Sequence, residues 1–211
     1  MLYFDSEMAL PFLQLEAFFH PQITSPIIES VKNNVINKLV SMIEEKGKMM
    51  QTEIIDAKEM KDSIGGTIEC AIIGVPAGFG GSLFDGIESK ISACVFGIPA
   101  VKGIEFGSGF GGSKLYGSEN NDAFYYDNDK IKTRTNNHGG ILGGISSSMP
   151  IIFNVAIKPT PSIGKEQDSV SIVNKTNTKL TINGRHDPCI VQRAVPCIEA
   201  AAAISIFDLL Y

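Results

Sequence analysis

Apolar residues near the start of the chain repeat with the period of a helix. Ser25 and Pro26 begin this segment; serine caps helices well, and proline is tolerated in a first helical turn. The apolar positions then follow every four residues, at Ile27, Val31, Val35, Leu39 and Ile43. Because this spacing places them on one face, the pattern predicts an amphipathic helix that ends near Gly47.

Farther along, apolar and polar residues alternate, which is typical of strands with one buried face. The pattern predicts strands over 67–73, 102–106 and 151–157, the last closed by Pro159. Two shorter strands, over 169–173 and 179–182, are expected to pair across the polar residues between them. A sheet built from such neighbours is antiparallel.

Two further helices are predicted between and after these strands. Leu83, Ile87, Ile91 and Val95 have helical spacing, and Gly97 ends the pattern. The alanine-rich run over 195–210 predicts a largely buried helix. Together with the strands, these helices indicate the α+β class with antiparallel sheets.

Glycine divides the chain into two unequal parts. Of the 21 glycines, only Gly47 precedes residue 65. We therefore expect an N-terminal leader over 1–61 with one amphipathic helix, and a main region over 62–211.

Charge and composition exclude several classes of protein. With 18 basic and 23 acidic residues the net charge is −5, the wrong sign for a broad nucleic-acid surface. No apolar stretch approaches the roughly 20 residues of a membrane span, and the first residues lack a signal-peptide pattern. The four cysteines lack zinc-ligand spacing, so we expect no metal site and a reducing, cytoplasmic location.

One glycine motif resembles a dinucleotide-binding turn. Residues 107–112 satisfy G-x-G-x-x-G after a predicted strand, but no helical pattern opens on the last glycines. The sequence therefore favours a glycine-rich connection that lets backbones approach closely. Residues 113–115 likewise lack the Gly-Lys-Ser/Thr of a phosphate-binding P-loop.

Three other features are candidates for ligand binding. The glycines of 139–144 could lie flat against a planar ligand or form a structural loop only. The prolines of 158–162 fix an extended segment that could hold a phosphate. The arginines are Arg134, Arg185 and Arg193, and their planar forks favour an anionic ligand, the alternative being structural ion pairs.

Several longer motifs then follow one another in a specific order. They are GIEFGSGF at 103–110, GSENND at 117–122, TNNHGGILGGI at 135–145, AIKPTPSI at 156–163, GRHDPC at 184–189 and RAVP at 193–196. In these motifs the chain resembles the C-terminal half of chorismate synthases, and the resemblance runs over 62–211.

The resemblance implies both a fold and an activity. The fold is a layered sandwich in which helices pack between antiparallel β-sheets, and this chain would hold part of it. The activity is the conversion of 5-enolpyruvylshikimate 3-phosphate to chorismate and phosphate, the last step of the shikimate pathway and of aromatic amino-acid precursor biosynthesis. It is an anti 1,4-elimination that uses reduced FMN. The family is usually a homotetramer whose active sites include residues from a neighbouring subunit.

The resemblance also implies a role for particular residues. Asp187 would be catalytic and assist proton movement near the flavin N5 atom. Gly143 would contact the flavin, Arg185 would join an anion-binding cluster, and Ala100 is a weaker flavin contact. The FMN side chain and phosphate would be lined by Lys158, Pro159, Thr160, Pro161 and Ser162.

One large departure from the family leaves two hypotheses open. Family members carry an N-terminal half with two general-acid histidines, and residues 1–60 show none of its motifs. His138 and His186 belong to C-terminal motifs and do not replace those acids. We therefore expect a truncated chorismate synthase, or a half that needs a partner. The alternative is a non-catalytic remnant that binds flavin or a subunit of the full-length enzyme.

Overall fold

A computed structural model describes residues 2–3 and 46–210 of the chain. Within them, the strands in chain order are β1 Leu2–Tyr3, β2 Gly66–Ile72, β3 Val101–Phe106, β4 Phe124–Asp127, β5 Lys130–Thr133, β6 Ile141–Leu142, β7 Ile145–Ser146, β8 Ile151–Ile157, β9 Gln167–Ser171 and β10 Thr176–Leu180. The helices are α1, described over 46–59, then α2 Ile87–Phe96, α3 Gly109–Gly112, α4 Gly117–Asn120 and α5 Val191–Leu210, with a 3-10 turn at Leu83–Asp85.

Gly47 lies within the first described helix, α1, so the expected helix end at that residue is wrong. The predicted amphipathic helix over 27–43 lies outside the described residues. A glycine inside a helix costs about 1 kcal/mol relative to alanine. Burial of Met50, Ile54 and Ala57, which share one face and pack on the core or beside it, offsets that cost.

The centre of the fold is a four-stranded antiparallel sheet in the order β1-β2-β8-β3. Strand β8 coincides with the predicted 151–157 and pairs on both sides, with β2 and with β3. At one end of the sheet Ile157 lies opposite Gly66 and Val101; at the other, Ile151 lies opposite Ile72. The ends of β8 therefore define the two ends of the sheet.

Helices α2 and α5 pack against each other and form one helical layer over the sheet. Helix α5 also contacts β2, and α2 contacts β3. The alternation predicted for β2 and β8 buries Ile68, Phe153 and Val155 in this interface. The prediction of an α+β chain with antiparallel sheets is thereby confirmed.

Three small hairpins complete the described structure. Strands β9 and β10 pair antiparallel, as predicted, although they begin two or three residues before the predicted strands. The hairpins β4–β5 and β6–β7 lie within the glycine-containing region 103–148. Helix α5 begins at Val191 rather than 195 and accommodates Pro196 within it. None of the described helices combines the length and the apolar character that crossing a membrane would require.

Candidate functional site

The segment 158–162 continues directly from β8 at one end of the sheet. The Lys158 backbone N–H donates to the Ala100 carbonyl, which prolongs the pairing with β3 by one residue. The Ser63 hydroxyl donates to the Thr160 carbonyl at 2.6 Å. The Thr160 Oγ1 atom is buried and has no hydrogen-bond partner in the described structure. A buried hydroxyl without a partner is costly, so it fits a position where a bound ligand supplies one.

The segment 185–188 lies against the same turn between α1 and β2. The Ile64 N–H donates to the Pro188 carbonyl at 2.8 Å, one residue after the Ser63 contact with Thr160. The segments that contain Lys158 and Arg185 are thus both hydrogen-bonded to the same pair of adjacent residues, Ser63 and Ile64.

An ion pair connects the chain after 158–162 to the residues that follow α1. The Lys165 ammonium lies 2.6 Å from Asp62 Oδ2, and the Gly164 N–H donates to the Lys61 carbonyl. The hydrogen bond from Lys165, assisted by the Ser63 N–H, holds the pKa of Asp62 below its usual value. The connection that follows 158–162 is therefore attached to the end of α1 at two points.

A cleft of about 590 Å³ opens beside these segments, and we call it the cationic cleft. Asp187 Oδ2 accepts a hydrogen bond from Arg193 at 2.8 Å, and its Oδ1 accepts one from the Cys189 N–H at 3.3 Å. The cleft thus combines three cationic side chains with one carboxylate, in a chain whose net charge is −5. Its lining residues are Ile54, Ile55, Lys58, Arg185, His186, Asp187, Pro188 and Arg193.

The cysteine next to this cleft, Cys189, is buried. Burial raises the pKa of the Cys189 thiol, so the side chain is protonated at neutral pH. Burial likewise raises the pKa of Cys70, on β2, to about 12. Both therefore act as small apolar residues.

The glycine-rich segment around Gly143 lies at the opposite end of the sheet. Gly143 is in the turn between β6 and β7 with φ of 62°, and the Gly144 carbonyl accepts a hydrogen bond from Ile87 at the start of α2. The Gly139 carbonyl accepts one from Ile152 near the start of β8. The backbone of 107–108 passes so close to 137–139 that a Cβ on Gly107 would collide with the Asn137 carbonyl. The expected close approach of backbones at 107–112 is thus confirmed, and α3 is too short for a dinucleotide-binding helix.

A buried carboxylate organises this glycine-rich segment. The side chain of Asp122 is 3% exposed and accepts hydrogen bonds from the Thr135 hydroxyl, the Asn137 N–H and the His138 N–H. His138 Nδ1 in turn accepts a hydrogen bond from the Gly140 N–H at 2.8 Å. One acidic side chain therefore fixes the backbone that leads to Gly143.

A second cleft, of about 840 Å³, adjoins the β6–β7 hairpin, and we call it the apolar cleft. Phe124, Ile131, Leu142 and Ile145 line much of it, and all four are at least 40% exposed. Side chains of this kind can cover a planar aromatic ligand.

The structure brings together some of the predicted site residues and separates others. Residues 158–162 lie at one end of β8 with Arg185 and Asp187 nearby, whereas Gly143 lies at the other end. Seven residues of strand separate the two ends, or roughly 20 Å. Lys58, Ser63 and Asp122 take part in these sites but were not singled out from the sequence.

Comparison with known proteins supports one family. The family model described as chorismate synthase matches residues 12–211, and so begins within the expected leader. The chain is 45% identical over 183 residues to the chorismate synthase of Methanococcus maripaludis strain C5, covering 87% of this chain and 49% of the relative. The chorismate synthase of Dehalococcoides mccartyi strain BAV1 is 51% identical over 162 residues, which cover 77% of this chain and 44% of the relative. That of Methanocaldococcus jannaschii is 43% identical over 196 residues, which cover 92% of this chain and 51% of the relative.

A solved structure agrees with the sequence matches. A crystal structure of chorismate synthase superposes with a TM-score of 0.64 at 29% identity, covering 80% of this chain and 44% of the other. The chain spans about half the length of the curated relatives that it matches. Since the family match covers nearly all of its own residues, the chain belongs to the chorismate synthase family.

Proposed function

We propose that this chain takes part in the chorismate synthase reaction. In that reaction 5-enolpyruvylshikimate 3-phosphate loses phosphate by an anti 1,4-elimination that depends on reduced FMN. The observation that supports the proposal is that adjacent residues, Ser63 and Ile64, hydrogen-bond to the Thr160 and Pro188 carbonyls, which belong to the two segments expected to bind phosphate and to move a proton.

The residues at this end of the sheet fit a phosphate-bearing flavin. Within the described residues, the side chains of Lys158 and Arg185 make no ion pair, and the Thr160 hydroxyl is buried without a partner. Two free cations and one free hydroxyl suit the charge and hydrogen-bonding needs of a phosphate group. Pro159 and Pro161 limit the conformations of the segment and so reduce the entropy lost on binding. Ser162 adds a hydroxyl at its end.

Each of these side chains has a definite task in the proposal. When bound, reduced FMN would supply an electron transiently to the reaction. The Arg185 guanidinium and the Lys158 ammonium stabilise the negative charge on phosphate oxygens. Asp187 is oriented by Arg193 through its Oδ2 atom. Its Oδ1 atom, which accepts only the longer hydrogen bond from the Cys189 N–H, would assist proton movement near the bound flavin.

The separation of the two ends of β8 supports a site shared between copies of the chain. The apolar cleft beside Gly143 suits the flavin ring, whereas the cationic end suits phosphate. We propose a homo-oligomer, a tetramer as in the family, in which Gly143 from one copy and Lys158 from another contact the same ligand. Cytoplasmic location stays a prediction of the sequence.

The second candidate is a non-catalytic partner that binds flavin or associates with a full-length relative. The observation that favours it is the coverage of about half of each relative. It differs from the first candidate in a measurable way, since it binds ligand without releasing phosphate.

An anaerobic assay distinguishes the two candidates. The purified chain is incubated with reduced FMN and 5-enolpyruvylshikimate 3-phosphate, alone and with the separately expressed N-terminal half of the Methanococcus maripaludis relative. We expect chorismate and phosphate to form in equal amounts when the two halves are combined. Folded, associated halves that bind FMN and yield no chorismate would refute the catalytic proposal and favour the second candidate.

Two variants connect the activity to the site. Asp187→Asn is nearly isosteric and is expected to leave folding and FMN affinity intact while turnover falls at least tenfold. Arg185→Lys keeps the charge but loses the planar fork, so we expect weaker ligand binding. Wild-type turnover in Asp187→Asn would refute the proposed catalytic role of Asp187. Wild-type affinity in Arg185→Lys would refute the proposed role of the Arg185 fork in ligand binding.

A further inference from the structure

We propose that Lys58 and Arg193 join Arg185 in binding one phosphate monoester in the cationic cleft. The proposed function concerns which molecule carries the phosphate, whereas this inference concerns the two additional side chains that bind it. The family resemblance gave neither residue a ligand role, although Arg193 is one of the arginines whose forks favour an anionic ligand.

Helix α1 places Lys58 at the cleft. Met50 and Ala57 are buried against the core, so the face of the helix that holds them is fixed. Lys58 follows Ala57 directly and lies one helical turn after Ile54, and both Ile54 and Lys58 line the cleft. The ammonium group is thereby brought to the side of α1 that borders 185–188, although it is 127 positions from Arg185 in the sequence.

Positive side chains outnumber negative ones in the cationic cleft. Some lysines of the described residues, such as Lys132 and Lys165, lie within ion-pair distance of a carboxylate. In the cleft, the Lys58 and Arg185 side chains have no such partner within the described part of the chain, and Arg193 pairs with Asp187. Three cations and one carboxylate leave an excess of two positive charges, which a phosphate monoester dianion neutralises.

Arg193 can serve both Asp187 and a phosphate group. Its side chain is 78% exposed, and the described contact of its guanidinium uses one nitrogen, Nη1, on Asp187 Oδ2. A guanidinium carries five N–H donors, so most of them remain for a second acceptor. Phosphate binding would therefore recruit Arg193 without breaking its contact with Asp187.

The first test uses inorganic phosphate, so that it does not depend on flavin or substrate chemistry. Phosphate is titrated into the full chain at low ionic strength, and binding is followed by ³¹P NMR line broadening and by the rise in Tm. We expect Lys58→Met and Arg193→Met each to weaken binding by about tenfold, as expected when one charge-assisted hydrogen bond is removed. Lys58→Arg is expected to retain most of the affinity, because it keeps the charge.

The matched control lies on the same helix. Lys48 is exposed and precedes Lys58 by ten residues, or roughly 15 Å along α1, so Lys48→Met makes the same change of charge outside the cleft. It is expected to bind phosphate as the wild type does. The far-UV spectrum and the Tm without phosphate verify that each variant is folded. Equal phosphate affinity in Lys58→Met and the wild type, or loss of binding in Lys48→Met to the same degree, would overturn the inference.

Further titrations identify the source of the phosphate group. If FMN supplies it, Lys58→Met weakens FMN about tenfold and leaves riboflavin, which has the same ring without phosphate, unchanged. If the substrate supplies it, the variant weakens 5-enolpyruvylshikimate 3-phosphate and leaves FMN unchanged. Either result supports phosphate binding in the cationic cleft, and unchanged affinity for both ligands overturns it. A chain that binds phosphate through Lys58 but yields no chorismate with its complementing half would refute the proposed function and would not contradict phosphate binding in the cationic cleft.

Discussion

The substitution Asp122→Asn removes one oxygen acceptor from the centre of the glycine-rich segment. The Asp122 carboxylate receives the Thr135 hydroxyl and the Asn137 N–H on Oδ1, and the His138 N–H on Oδ2. Asparagine is almost the same size, so no cavity forms. Its amide nitrogen cannot accept, and in either orientation at least one backbone N–H faces a donor instead of an oxygen.

The expected loss in the free energy of unfolding follows from the burial of that N–H. A hydrogen bond to a charged group contributes about 1.5–3 kcal/mol, and a buried donor without a partner costs about 1–3 kcal/mol. Because one backbone hydrogen bond is broken and the others weaken without the negative charge, we expect the free energy of unfolding to fall by about 3 kcal/mol. For comparison, Asp127→Asn disrupts a half-exposed pair with Lys132 and is expected to cost less than about 1 kcal/mol.

Urea denaturation at several pH values tests both the magnitude and its cause. Burial raises the pKa of Asp122, but the hydrogen bonds from Thr135, His138 and Asn137 outweigh burial and leave the pKa below its ordinary value of 3.8. A lowered pKa in the folded state means that the carboxylate stabilises the fold above the unfolded pKa, and that this contribution is lost as the pH falls through the folded value. The difference in the free energy of unfolding between wild type and Asp122→Asn should therefore have its whole size at pH 7 and become smaller below about pH 4. A difference under about 1 kcal/mol at pH 7, or one that grows in acid, would refute the reasoning.

Three further predictions concern the core, the turn between α1 and β2, and the backbone at Gly140. Phe153→Ala empties a fully buried position in the central strand and should lower the free energy of unfolding by about 3–5 kcal/mol in urea; a loss below about 1 kcal/mol would contradict the packing described. Ser63→Ala removes the hydrogen bond to the Thr160 carbonyl and should lower the free energy of unfolding by about 1 kcal/mol. It should also weaken FMN binding in a fluorescence titration, and unchanged FMN affinity would show that this hydrogen bond does not position 158–162. Gly140→Ala puts a Cβ against a backbone carbonyl at φ of 80° and should lower the Tm strongly, while Gly117→Ala has open space and serves as the control; similar Tm values for both would be the contrary result.

The strands and helices that form the core were largely predictable from sequence, because burial imposes a period on the residue types. Strand β8 matches its prediction at both ends, since every second residue must enter the core. The β9–β10 hairpin pairs as predicted, but its bounds are shifted. All of β10 is exposed, so no apolar period marks its ends.

Two expected helix bounds are wrong, and in each case the helix includes a residue that is unfavourable in a helix interior. Gly47 was expected to end a helix but lies within α1, and the last helix, expected from 195, begins at Val191 and includes Pro196. In α5 the buried residues Val191, Val195 and Ile198 lie on one face and extend across the proline. Burial of that face outweighs the single hydrogen bond that Pro196 cannot donate.

The candidate site was predictable only where motifs are contiguous. Residues 158–162 and the Arg185 motif are recognisable because each is a short run. Lys58, Ser63 and Asp122 were missed because each reaches its partners through the tertiary fold. Nothing in the sequence around Lys58 distinguishes it from the other lysines of α1.

The β3 edge of the central sheet also bears on how copies of the chain can associate. Within the described residues, β3 forms the end of the sheet and has no neighbour on its outer side. Its pairing with β8 is interrupted between Val101 and Gly103, and Lys102 at that irregularity is exposed. A bulge and a lysine at an open edge discourage another strand from adding to it, which is how sheet proteins avoid aggregating edge to edge. A continuous intermolecular sheet formed through the β3 edge is therefore disfavoured, and copies that meet at this side should associate through the faces of their layers.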